Sequence, residues 1–311
     1  MLVLLLVSVI LVCCCQVLVA VEAPRIEMND GNKIPIIALG TYGSAQDVQR
    51  MRQTVTWAVE AGYRHIDTAS IYKNEEQIGQ GIKDVVNKGL VKRENLFITT
   101  KLWNDRHDRE QVVPALKESL ANLDLDYVDL YLIHSPNATY EDGTPANVDY
   151  LETWRGMEEA KALGLTKSIG VSNFNVEQVN RLFANSKVKP AVNQIEVHPS
   201  LTQEPLVSHN QKLGVVVMAY SPFGFLVNRD NIADAPPPKV DDPTLLKMAS
   251  KYGKTTGQIV LRYLIDRGTI PIPKSTNKNR LQQNIDILDF ELTPEEIHTI
   301  NKFNMNRGVF N

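Results

Sequence analysis

The chain has 311 residues, with 33 Lys+Arg against 36 Asp+Glu for a formal net charge of −3, and it is 43% hydrophobic and 22% charged. That balance excludes a collagen-like or disordered chain and lacks the basic excess that draws nucleic-acid binders to phosphate backbones. The longest apolar stretch stands at the very start, which excludes a polytopic membrane protein.

That stretch is the first element. Leu2 to Cys15 is almost unbroken apolar sequence, followed by Gln16, by Val17 to Val21, and by small residues at Ala20 and Ala23. It reads as the h-region of a signal peptide over residues 1–20, although no Lys or Arg precedes it. It is also about long enough for an uncleaved anchor, and both readings stay open. Cys13, Cys14 and Cys15 all lie inside it, so cleavage near Ala20 would leave a mature domain, 21–311, with no thiol. Disulfides, cysteine nucleophiles and zinc–cysteine sites are then excluded from that domain. A secreted chain with no membrane contact after cleavage is the expectation, with a glycan on Asn137 of the Asn137-Ala138-Thr139 sequon.

From Pro24 onward no linker interrupts the chain. Arg25–Met28 and Lys33–Ile36 flank Asn29-Asp30-Gly31-Asn32, a hairpin signal because Asp-Gly tolerates positive φ. Eight short apolar runs follow: Ile37–Gly40, His65–Ala69, Phe97–Leu102, Val128–His134, Ser168–Val171, Val192–Val197, Val215–Ala219 and Thr269–Pro273. Between them Val48–Ala61, Glu75–Lys88, Arg109–Leu123, Val148–Leu163, Val176–Ala184, Gln203–Leu213 and Thr256–Arg267 have helical spacing, with N-caps expected at Asn74, Asp108, Asn175 and Thr202. Continuously apolar strands alternating with helices imply a parallel sheet covered on both faces. Eight is the number that closes a barrel, so the expected architecture is α/β, a single (β/α)8 TIM barrel with an N-terminal β-hairpin. The rival, an open doubly wound sheet, has no G-x-G-x-x-G after any strand, and Gly79-Gln80-Gly81 lies within a helical pattern. Two long rim loops, Pro136–Asn147 and Phe223–Pro243, would border the C-terminal mouth.

The strand ends carry the chemistry. The second leads to Asp67 and Tyr72, the third to Lys101 and Trp103, the fourth to His134; later strands bring Ser172-Asn173, Gln194, Tyr220-Ser221 and Lys274-Ser275. Taken singly, such residues are rim charges, caps or packing. Converging from three consecutive strands, Asp67, Tyr72, Lys101 and His134 make a proton donor. A phenol with a free pKa near ~10 is a poor acid at neutral pH. A neighbouring Lys101 ammonium favours the phenolate, Asp67 keeps that ammonium charged, and His134 can polarise a carbonyl oxygen. The six histidines show no paired ligand spacing, so no metal is expected.

Gly62-Tyr63-Arg64-His65-Ile66-Asp67-Thr68-Ala69 with Tyr72, Leu130-Tyr131-Leu132-Ile133-His134, Ile169-Gly170-Val171-Ser172-Asn173-Phe174, and Ile272-Pro273-Lys274-Ser275 with Arg280 together resemble the signatures of the NADPH-dependent aldo-keto reductases. The resemblance runs from about Arg25 to Arg307. It implies reduction of an aldehyde or ketone, with hydride from NADPH and a proton from Tyr72. It also implies contacts of Ser172, Asn173 and Gln194 with the nicotinamide carboxamide and stacking of the ring on Tyr220. Gly40, Thr41, Ser221 and Pro222 fall at further cofactor positions, with the Phe223–Pro243 loop over the pyrophosphate. Lys274, Ser275, Thr276 and Arg280 fall at the 2′-phosphate, and Asn284 at the adenine.

The family is expected to be monomeric, with a small carbonyl compound as substrate and no nucleic acid as partner. Departures bear on the pocket: Tyr42 stands where many aldose reductase-like members carry Trp, Ser135 where an aromatic residue is common, Trp103 is retained, and the chain stops at Asn311, so a short C-terminal loop is expected. An open pocket for a bulkier, flatter carbonyl compound follows, and a leader-bearing member of this kind is similar to the insect 3-dehydroecdysteroid reductases. Two other classes stay open: a non-catalytic NADPH-binding or redox-sensing barrel, and a Schiff-base barrel with Lys101 as nucleophile, which would need that amine neutral.

Overall fold

The structure, a computed structural model, describes residues 22–228, 232 and 234–310. The apolar N-terminal stretch with its three cysteines, on which the signal-peptide reading falls, and part of the Phe223–Pro243 loop lie outside the described residues.

Strands β1 (Arg25–Glu27) and β2 (Lys33–Pro35) form the expected antiparallel hairpin, with Arg25 opposite Pro35 and Glu27 opposite Lys33. Eight strands then run β3 (Leu39–Gly40), β4 (His65–Asp67), β5 (Phe97–Leu102), β6 (Val128–Ile133), β7 (Thr166–Ser172), β8 (Val192–Glu196), β9 (Val216–Tyr220) and β10 (Thr269–Pro271). They lie in chain order in one sheet, and every neighbouring pair is parallel. The edges meet: Ala38 N–H donates to Pro271 O at 3.1 Å and Gly40 N–H to Pro273 O at 3.0 Å. The backbone can come this close because Gly40 has no side chain; a Cβ there would stand 2.9 Å from Ile272 O.

The pleat sorts each strand between two cores. On β6, Leu130 and Leu132 point into the barrel beside Phe97, Val192, Met218 and Ile270, whereas Tyr131 and Ile133 face the helices. Met28 and Ile34 of the hairpin join the inner group, so the hairpin plugs the N-terminal end. With that end closed, the polar strand ends collect at the other.

The helices are α1 (Ala45–Glu60), α2 (Glu75–Asn87), α3 (Arg109–Leu123), α4 (Tyr150–Ala162), α5 (Val176–Asn185), α6 (Glu204–Lys212), α7 (Pro243–Tyr252), α8 (Thr256–Asp266), α9 (Lys278–Ile285) and α10 (Pro294–Asn301). Three of these, α7, α9 and α10, are absent from the sequence reading. Of the expected caps, Asn175 forms a full capping box with Gln178, but Asn74 and Asp108 make no side-chain cap bond. Thr202 is not a cap: the chain enters α6 through Gln203 in the left-handed region at φ 48°. The glycines of Gly79-Gln80-Gly81 serve packing. A Cβ on Gly79 would lie 2.3 Å from Leu123 O, and one on Gly81 2.7 Å from the Val55 side chain.

Candidate active site

Lys101 is the penultimate residue of β5, with its side chain fully buried in the mouth. Its Nζ donates to Asp67 Oδ1 at 2.6 Å, to Thr68 O at 2.9 Å and to the Tyr72 hydroxyl at 3.4 Å. Burial works against the ammonium, but Asp67 and Tyr72 outweigh it and hold the Lys101 pKa above its ordinary value. The amine is therefore charged, which removes the neutral nucleophile a Schiff base requires.

Tyr72 reaches this point through a single 3₁₀ turn, Ser70–Tyr72, closed by Lys73 at φ 54°. The loop is tied down by Asn74, whose amide donates to Thr41 O at 2.9 Å and whose oxygen accepts from Thr68 Oγ1 at 2.7 Å. That is why Asn74 does not cap α2. Thr41 Oγ1 in turn donates to Asp67 O at 2.8 Å, so the β3 and β4 ends are locked to one another.

The expected lowering of the Tyr72 pKa is not the net result. Burial raises it, Lys101 pulls it down, Asp67 pushes it up, and the phenol ends above its ordinary value. Desolvation of a nearly buried phenol exceeds what one shared ammonium returns, because Lys101 is already paired with Asp67. Tyr72 is consequently held protonated, as a donor must be.

His134 follows β6, and its ring stands edge-on to Tyr72 at 5.7 Å and to Trp103 at 4.9 Å between centroids. Burial first, and then the Lys101 charge, lower its pKa to about 3, so the imidazole is neutral. Its Nδ1 is buried with no partner among the described residues, which leaves Nε2 as the nitrogen able to serve a ligand. Tyr42, 59% exposed, lies 5.1 Å from the Tyr72 ring and forms the outer rim. Ser135, directly after His134, is half-buried, and its Oγ accepts the Asn137 N–H at 3.1 Å.

The next residues form a continuous polar wall. Ser172 Oγ donates to Gln194 O at 2.8 Å, and Gln194 Nε2 donates to Asp67 Oδ2 at 2.8 Å. Asn173, left-handed at φ 63°, donates to His134 O at 2.9 Å and accepts from the Tyr220 hydroxyl at 2.9 Å. Ser221, at φ 49°, begins the turn through Pro222 after β9. At the far rim, Lys274, Ser275 and Thr276 lie in the loop before α9, with Arg280 exposed in its first turn and Asn284 half-buried farther along. Two cations and two hydroxyls at a helix N-terminus are a donor set that fits a phosphate dianion.

Two features escaped the sequence reading. Asp47, on α1, pairs with Lys274 at 2.7 Å and accepts from Thr276 Oγ1 at 3.1 Å. Burial opposes ionisation there, but bonds from Lys274 and Ser44 hold the carboxyl at about 2. The partners are too far apart in sequence for any local signal. Glu196, buried at the end of β8, accepts from His198 Nε2 at 2.9 Å and from the Val309 N–H at 2.5 Å. This draws the tail back so that Phe310 stands 6.0 Å from the Tyr220 ring. Phe310 thereby returns an aromatic side chain to the mouth.

Comparison with known proteins places this geometry. The family model described as the aldo/keto reductase family matches residues 36–305. The chain is 63% identical over 294 residues to the silkworm (Bombyx mori) protein named aldo-keto reductase AKR2E4, covering 93% of this chain and 95% of the relative. The crystal structure of that silkworm enzyme in complex with NADP superposes with a TM-score of 0.92 at 62% identity, over 94% of this chain and 96% of that one. A second silkworm structure, AKR2E5 complexed with NADPH, gives a TM-score of 0.90 at 44% identity, over 92% of this chain and 89% of that one.

Proposed function

The chain belongs to the aldo/keto reductase family, and we propose that it reduces an aldehyde or ketone to an alcohol with NADPH, the proton coming from Tyr72. The observation that carries this reading is the Lys101 ammonium, held at once by Asp67 at 2.6 Å and against the Tyr72 hydroxyl at 3.4 Å. Bound NADPH supplies the hydride. Everything else falls to the chain's own side chains. Neutral His134 donates to the substrate's carbonyl oxygen and fixes its direction; as negative charge develops there, Tyr72 delivers its proton. Lys101 stabilises the phenolate left behind, and Asp67 keeps Lys101 charged without donating a proton itself. Ser172, Asn173 and Gln194 orient the carboxamide, Tyr220 supports the ring, and Lys274, Ser275, Thr276 and Arg280 hold the 2′-phosphate, with Asn284 at the adenine. Gly40, Thr41, Ser221 and Pro222 complete the cofactor contacts.

The substrate we propose is a flat, steroid-like 3-oxo compound of the 3-dehydroecdysone type. Trp103 against His134, the exposed Tyr42 ring beside Tyr72 and Phe310 beside Tyr220 support it, because flat aromatic surfaces border the mouth and suit a flat, apolar ring system. We further propose that the enzyme is a monomer that enters the secretory route and loses residues 1–20. The exposed Asn137 supports glycosylation there. The test follows NADPH oxidation at 340 nm with a small aldehyde, an aldose and a 3-oxosteroid in parallel. Turnover with the 3-oxosteroid favoured in kcat/KM is expected. An aldose preferred over the steroid would overturn the substrate reading, and NADPH binding without turnover on any of them would overturn the reductase itself.

A further inference from the structure

We propose that Asp47 is a resident carboxylate that competes with the cofactor's 2′-phosphate for Lys274 and Thr276, and so sets how strongly this chain prefers NADPH to NADH. The inference rests on the reading of Lys274, Thr276 and Arg280 as the 2′-phosphate site. Asp47 Oδ2 lies 2.7 Å from Lys274 Nζ, with the two side chains only 21% and 31% exposed. It is therefore not the freely solvated surface pair that contributes little. Its other oxygen accepts from Thr276 Oγ1 at 3.1 Å, so one carboxylate engages two of the side chains assigned to the phosphate.

The carboxylate is also fixed in place. Ser44 N–H and Ser44 Oγ each donate to Asp47 Oδ2 at 3.0 Å, completing the capping box that starts α1. Gly43 allows that approach, since a Cβ there would stand 2.7 Å from Asp47 Oδ2. Asp47 thus belongs to the helix and cannot simply swing away from Lys274. The Arg280 guanidinium has no side-chain partner among the described residues and remains available.

Among the described residues, an arriving 2′-phosphate therefore meets Arg280 without a side-chain partner and Lys274 already neutralised by Asp47. Bringing it onto Lys274 puts two anions on one ammonium, and the like charges oppose each other. NADH carries a 2′-hydroxyl instead, which is uncharged and can donate to a carboxylate, the use dinucleotide sites make of Asp or Glu at the ribose. Asp47 accordingly weakens the binding of NADPH but not of NADH.

The test is calorimetric titration of the purified protein with NADPH and, separately, NADH. Asp47→Asn keeps an oxygen for the Ser44 N–H and so preserves the start of α1, and Asp47→Ser serves as a second variant should the first fold poorly. Both are expected to bind NADPH about tenfold more tightly while binding NADH no more tightly than the unaltered protein. Unchanged or weaker NADPH binding in either folded variant would overturn the inference. Lys274→Ala and Arg280→Ala distinguish a failure of the competition from a failure of the phosphate site. If they weaken NADPH selectively while Asp47→Asn changes nothing, the phosphate reading stands and the competition is wrong. If they weaken NADPH and NADH alike, the phosphate reading itself falls, and the inference with it.

Discussion

In the proposed mechanism the chemistry turns on Lys101, whose side chain is wholly buried and whose pKa Asp67 and Tyr72 hold above the ordinary value. Replacing it by Met removes the group that steadies the Tyr72 phenolate and leaves Asp67 buried beside Gln194 without its cation. Lys101→Met is expected to lower kcat by roughly 10²–10⁴-fold, the range general acid–base catalysis contributes, with NADPH affinity nearly unchanged by calorimetry. A parallel loss of cofactor binding would argue that Lys101 only holds the site together. His134 gives a second check. With a pKa of about 3 it stays neutral across the working range, so kcat/KM should show no break near pH 6.5, and an ascending limb there lost in His134→Gln would contradict its neutral role. Residue types and strand-end positions made Asp67, Tyr72, Lys101 and His134 legible in the sequence. The Tyr72 pKa was not, since its direction depends on how far burial outweighs an ammonium already shared with Asp67.

At the scale of elements, apolar runs and turn signals located the hairpin and all eight barrel strands, because strands buried on both faces leave an uninterrupted signature. The helices were less evenly readable. Missing α7 and α10 was avoidable, since Asp242 with Pro243 and Gly253 bracket the first, and Thr293 with Glu296 forms a capping box for the second. By contrast α9 is short and mostly polar, burying only Leu281 and Ile285, and its period is hard to see. The interlock of α1, α2 and α3 supplies a prediction. Alanine favours a helix over glycine by about 1 kcal/mol, but a Cβ at Gly79 would stand 2.3 Å from Leu123 O. Gly79→Ala is therefore expected to destabilise the barrel by about 1–3 kcal/mol, read as a lower midpoint in urea; an unchanged or higher midpoint would show that α2 and α3 do not touch this closely.

For the whole molecule, closure of the sheet and plugging of its N-terminal end concentrate the polar strand ends at one mouth, where the proposed cofactor and substrate sites lie together. The same burial has a price in acid. His65 and His134 are held at about 3 and His107 at about 4 by burial. Their folded pKa values lie below the unfolded value near ~6.5, so between roughly pH 6.5 and 4 the unfolded chain binds more protons and stability falls as pH falls. The slope approaches about 1.4 kcal/mol per pH unit for each histidine. Urea midpoints at pH 7.5 and pH 5 should differ clearly, and equal midpoints would mean that these rings are solvated.

In the proposed mechanism Tyr72, held against the Lys101 ammonium at 3.4 Å, gives the proton. The most direct measurement is the single-turnover oxidation of NADPH by Tyr72→Phe beside the unaltered protein, on the best carbonyl substrate, with NADPH affinity measured on both. The expected rate is lower by roughly 10²–10⁴-fold at nearly equal affinity, since the phenyl ring keeps its packing and loses only the hydroxyl. A Tyr72→Phe enzyme that turns over at a comparable rate would contradict it and move the donor elsewhere in the mouth.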